Sequence, residues 1–99
     1  MSGYSDVIRA NVLDLSKVEA GRMIAICEGD PNDPNSELRM CVTGPFRKYE
    51  GGRVYYGGDG GAVYPGVNSG PEAYSHPFGA NNFIADGQVL RDWIAQLPC

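Results

Sequence analysis

Residues 22–28 read Arg22-Met23-Ile24-Ala25-Ile26-Cys27-Glu28, and the fold turns on how this run is buried. In a strand, successive side chains alternate between faces. Ile24 and Ile26 then share one face, and Met23, Ala25 and Cys27 share the other. Both faces are apolar, so the run is expected as an internal strand covered on both sides.

Onward from it, Asp30-Pro31-Asn32-Asp33-Pro34-Asn35-Ser36 is dense in turn formers, and neither proline can donate to a ladder. Glu37–Thr43 is expected to return as a strand, with Leu38, Met40 and Val42 inward and Arg39, Cys41 and Thr43 outward. Gly44-Pro45 turns the chain. Phe46–Glu50 and Arg53–Tyr56 flank Gly51-Gly52, two residues free to take the positive φ of a tight hairpin. A further short strand fits at Ala62-Val63-Tyr64.

Towards the N-terminus, Ser5–Leu15 supports two readings. Ile8, Val12 and Leu15 form a helical stripe that Ser5 could cap, yet the same run is rich in β-branched residues and reads equally as a strand. Towards the C-terminus, residues 57–82 are rich in glycine and proline and read as one long irregular loop, unusual in a compact domain and carrying several aromatics. Asp86–Leu97 is the clearest helix. Asp86 is its N-cap, Pro98 stops it, and Val89, Leu90, Trp93, Ile94 and Leu97 share a face. Trp93 is expected to anchor this helix on the sheet, so truncating it to alanine should cost roughly 3–5 kcal/mol. The fold expected is α+β in a single domain over residues 1–99. It comprises a small antiparallel sheet of three to five strands (a meander over residues 22–64), with the amphipathic helix 86–97 packed on one face.

Charge narrows the function classes. The 99-residue chain has a formal net charge of −4, which gives it no general attraction for nucleic acid. Carboxylates gather at Glu28, Asp30, Asp33 and Glu37, and bases at Arg47, Lys48 and Arg53, interrupted only by Glu50. The acids are too sparse for a duplex mimic, and the bases too few for a duplex binder. The N-terminus lacks a secretory pattern, and no run approaches the ~18 apolar residues of a membrane helix. Cys27, Cys41 and Cys99 lack metal-type spacing. Cys27 reads as a small buried hydrophobe, although a Cys27–Cys41 disulfide is open to it if their strands pair. A reducing, cytoplasmic setting away from membranes is expected, with no cofactor and no metal.

Three constellations fall short of chemistry. His76 is the only histidine. A small hydrolase or transferase could pair it with Ser75, Asp59 or Glu72, but sequence adjacency makes no nucleophile and base, and no G-x-S-x-G elbow is present. Asp30–Glu37 fails the EF-hand pattern, with Pro34 at the fifth position and no glycine at the sixth. Gly57-Gly58-Asp59-Gly60-Gly61 lacks the Gly-Lys-Ser/Thr that completes a P-loop.

What remains is a gathering of rings and cations. Arg47, Lys48, Tyr49, Arg53 and Tyr55 flank the hairpin turn, and Tyr64, Tyr74, His76 and Phe78 follow in the long loop. Tyr and Arg dominate protein-contact hot spots. Aromatics beside bases also suit single-stranded nucleic acid, but the acidic chain favours a protein partner. The expectation is therefore a small non-catalytic protein-binding protein, not an enzyme: an adaptor, an inhibitor or an assembly component. A virus or mobile element blocking a host complex is one expected source. A homodimer through an open sheet edge is compatible with this reading.

Overall fold

The structure is a computed structural model, and it describes residues 3–57 and 74–97. In chain order the elements are α1 (Tyr4–Arg9), β1 (Val12–Leu13), a 3-10 turn (Leu15–Lys17), β2 (Met23–Glu28), β3 (Arg39–Glu50), β4 (Arg53–Tyr56), β5 (Tyr74–Pro77), β6 (Asn82–Asp86) and α2 (Gly87–Ala95). The ambiguous N-terminal run thus holds a helix and a strand in succession.

The six strands among the described residues form one antiparallel sheet in the order β1-β6-β2-β3-β4-β5. This overturns the expected three-to-five-stranded meander over residues 22–64 and the single irregular loop over 57–82. The last strand in sequence, β6, lies inside the sheet, between the edge strand β1 and β2. Ala85 of β6 lies opposite Val12 on one side and Ala25 on the other. β6 escaped the sequence because its buried run, Phe83-Ile84-Ala85, is only three residues long and shows no alternation. β5 escaped because it carries Pro77, which a strand tolerates at an edge where no partner needs its missing N–H. The proposed strand at 62–64 lies outside the described residues.

β2 is buried on both faces, and each face has its own core. On the first, Ala25, Cys27, Phe83 and Ala85 pack with Ile8 of α1, Leu90 of α2 and Leu38. On the second, Ile24, Ile26 and Ile84 pack with Phe46, Val54 and Tyr56. Because Val54 and Tyr56 belong to β4, the sheet must curl over its own second face. The twelve-residue β3 makes this possible. Its first half pairs with β2 up to Pro45, and its second half pairs with β4 from Phe46. At the crossover, Gly44 is required by closeness: a Cβ there would sit 2.8 Å from Cδ2 of Tyr56. The span from Phe78 to Asn82 then ties the curled half back. The Phe78 N–H donates to the Gly52 carbonyl at 2.9 Å, and the Asn81 carbonyl accepts from the Gly29 N–H at 2.8 Å.

The expected alternation along 37–43 holds only in part. A bulge shifts the register: Ile26 lies opposite Val42 but Cys27 lies opposite Met40, leaving Cys41 without a counterpart. Met40 therefore packs on the helix face and Val42 on the second face, and Thr43, expected outward, is 1% exposed. The Thr43 hydroxyl finds no hydrogen-bond partner among the described residues. Burying an unmet hydroxyl costs stability, so Thr43→Val should raise it by about 1 kcal/mol. A urea titration in which the variant unfolds earlier than the wild type would disprove this.

α2 begins one residue later than its cap. Asp86 accepts from the N–H groups of Gln88 and Val89 through Oδ1, and its Oδ2 meets Nη2 of Arg22 at 3.1 Å. Leu90, not Trp93, is the anchor. Leu90 is fully buried, whereas Trp93 is half-buried and meets Tyr4 of α1 edge to face at 5.6 Å. Val89 and Leu97, expected on the inner face, are exposed. Among the described residues no helix is long and apolar enough to cross a membrane.

Candidate functional site

The rings and cations singled out in the sequence converge on the curled half-sheet β3-β4-β5. Gly51 and Gly52, at φ 59° and 75°, close the β3–β4 hairpin and set Glu50 opposite Arg53. The ladder then slips. Lys48 lies opposite Tyr55 and Phe46 opposite Tyr56, so Arg47 is the extra residue of a bulge. β5 adds on the far side, with Tyr74 opposite Tyr56, Ser75 opposite Tyr55 and His76 opposite Val54.

Directly opposed residues share a face, and this divides the candidates. Val54 is fully buried, so its row mates Tyr49 and His76 belong to the inner face, beside Phe78. Tyr49 stays 50% exposed and meets Phe78 edge to face at 5.7 Å, forming an aromatic rim. Lys48, Glu50, Arg53, Tyr55 and Ser75 belong to the outer face. There the Lys48 ammonium lies 4.9 Å from the centre of the Tyr55 ring, within cation–π range, and 2.8 Å from Glu50 Oε2. The Lys48 hydrogen bond holds the Glu50 carboxyl below its ordinary range, and the same bond raises the Lys48 ammonium. The pair is exposed, so it orients the side chains more than it stabilises the fold. Arg53 donates from Nε to Ser75 Oγ at 2.8 Å and from Nη2 to the Ser75 carbonyl at 3.4 Å. The sequence marks Glu50 as the acid within the basic cluster and Ser75 as an alternative partner of His76, but neither as a residue of this surface. Glu50 had a signal, two residues from Lys48 on one strand face; Ser75 had none, since its register is set across a long connection.

Of the nine candidates, Arg47, Lys48, Tyr49, Arg53, Tyr55, His76 and Phe78, with the Tyr74 backbone, belong to this one unit. Tyr64 lies outside the described residues, as do Asp59, Glu72 and Cys99. Ser75 and His76 are successive on a strand and point to opposite faces, and Arg53 occupies the Ser75 hydroxyl. That geometry does not pair His76 with Ser75.

The acidic loop has its own internal cation. Arg9 donates from Nε to the Pro31 carbonyl at 3.2 Å and from Nη2 to the carbonyls of Asp33 and Ser36 at 3.2 and 3.1 Å. Three loop carbonyls are thereby spent on a guanidinium. Among the described residues no group of three or more metal-ligating side chains comes together. Cys27 and Cys41 are both free thiols. Burial pushes Cys27 up to about 12, and burial together with Glu28 raises Cys41, so neither is poised as a thiolate.

No protein-family model, curated protein or solved structure matches the chain.

Proposed function

We propose that this protein is a non-catalytic protein-binding protein, an adaptor, inhibitor or assembly component, whose contact surface is the β3-β4-β5 half-sheet. The observation that carries the reading is the convergence itself. Residues 46–56 and 74–78 fold into one unit that presents Lys48, Arg53 and Tyr55 on its outer face and a half-exposed Tyr49–Phe78 pair at its rim. Aromatic rings and arginine, here Tyr49, Tyr55, Phe78 and Arg53, are the residue types that anchor protein interfaces. Lys48 is held over Tyr55 and Arg53 is held by Ser75, so both arrive preorganised and lose less freedom on binding. A cytoplasmic, reducing setting belongs to the same proposal and is supported by the two free thiols.

The stacked lysine and tyrosine would also suit a single-stranded nucleic acid, so the test must separate the two. The tagged protein is used to capture partners from lysate with and without nuclease. A stoichiometric protein that survives nuclease is the expected result. Loss of every partner on nuclease treatment, with oligonucleotide binding that weakens steeply in salt, would replace this reading with the nucleic-acid one.

A further inference from the structure

The opposite edge of the sheet holds a second site. Asp86 donates its N–H to the Asn11 carbonyl at 2.8 Å, which makes Asn11 and Asp86 a hydrogen-bonded pair of the β1–β6 ladder. In an antiparallel ladder such pairs alternate, so Leu13 and Ile84 form the next one. Val12, between them, therefore turns its N–H and C=O away from β6 to the open edge. Neither group has a partner among the described residues, and the Val12 side chain is 41% exposed.

Beside that edge lies a pocket of about 190 Å³ lined by Val12, Leu13, Asp14, Lys17, Val18 and Arg22. Small-molecule sites usually run to roughly 300–1,000 Å³, so this volume suits a side chain better than a cofactor. Its wall is apolar at Val12, Leu13 and Val18 and cationic at Lys17 and Arg22. Asp14, the only acid in the lining, is exposed, and its Oδ1 is engaged by the Ser16 N–H and hydroxyl at 2.9 and 2.7 Å. Arg22 spends one nitrogen on Asp86 while its side chain stays 49% exposed, and Lys17 makes no ion pair among the described residues.

We propose that the β1 edge and this pocket bind a short extended segment of another protein that carries an apolar residue two positions from an acidic one, so that both side chains fall on one face of the added strand. The backbone of one partner residue takes both the N–H and the C=O of Val12, as in strand addition. The apolar side chain enters beside Leu13 and Val18, which share the second face of the sheet, and the carboxylate two residues away reaches Lys17 and Arg22. A nucleic acid backbone offers no amide pair for Val12. The site is distinct from the β3-β4-β5 surface and stands or falls independently of it.

The probe is a blocked pentapeptide, acetyl-Ala-Val-Val-Glu-Glu-amide, titrated into the isotopically labelled protein and followed by amide NMR. The lysine version, acetyl-Ala-Val-Val-Lys-Lys-amide, is the control. The expected result is saturable movement of the Val12 amide with slowed hydrogen exchange there, and little response to the lysine peptide. Lys17→Glu, a change at an exposed side chain, should weaken binding by about fivefold, since exposed ion pairs contribute modestly, while the rest of the spectrum is retained. Equal binding of both peptides, shifts centred outside residues 11–22, or no movement of Val12 at millimolar peptide would each overturn the proposal. So would a Val12 amide that moves on diluting the protein alone, which would make a second copy of this chain the occupant.

Discussion

Gly87→Ala is expected to destabilise the protein by about 2–3 kcal/mol, although alanine is the better helix former by about 1 kcal/mol. The two effects oppose each other, and geometry decides which wins. A Cβ at position 87 would lie 2.5 Å from both the carbonyl carbon and oxygen of Ile24 and 2.9 Å from its nitrogen. These are backbone atoms of β2, a strand held by β3 on one side and β6 on the other. They cannot yield as a flexible side chain would. The helix must lift instead, and lifting it loosens Leu90 and disturbs the Asp86 cap. Urea unfolding with a lower midpoint for the variant is the expected observation. An unchanged or higher midpoint would mean that the first turn of α2 does not lie against β2 as described.

Leu90→Ala should cost about 3 kcal/mol, within the range for a fully buried leucine. Trp93→Ala should cost less than that, despite removing far more atoms. Leu90 sits in the core formed by Ile8, Ala25, Cys27 and Phe83, where truncation leaves a cavity. Trp93 is half-buried, and its defining contact is the edge-to-face pair with Tyr4, worth about 0.5–1.5 kcal/mol beyond burial. The ordering of the two unfolding midpoints is the test. If Trp93→Ala proves the more damaging, the tryptophan rather than the leucine anchors α2.

The features that local chemistry dictates were legible in the sequence. β2 announces itself through apolar residues on both faces, the hairpin through Gly51-Gly52, and α2 through the Asp86 cap. What the sequence hid depends on contacts between distant residues. The place of β6 between β1 and β2 follows from which partner buries Phe83-Ile84-Ala85, and three apolar residues carry no address. Two bulges, at Cys41 and Arg47, reset the alternation of β3 midway. Thr43 turns out to be buried for that reason, and Phe46 rather than Arg47 lies opposite Tyr56. Gly87 shows the same limit. Its φ is unremarkable, so nothing local marks it as a position where only hydrogen fits.

The cations and rings of the candidate surface were readable because they flank a short-range hairpin. Which of the two faces turns inward was not, because it rests on the curl of the sheet over its second core and on the arrival of β5 and Phe78 from across the chain. The alternative pairing of His76 with Ser75, which adjacency in the sequence does not itself create, is not made in the fold, because neighbours on a strand face apart.

The most direct measurement is the affinity of the captured partner for the wild type and for the triple variant Lys48→Ala, Arg53→Ala, Tyr55→Ala, with circular dichroism as the check that both are folded. If the outer face of the half-sheet makes the contact, affinity should fall by at least about tenfold, the loss expected when a hot-spot cluster is removed. A folded triple variant that binds as tightly as the wild type would contradict the assignment of function to this surface.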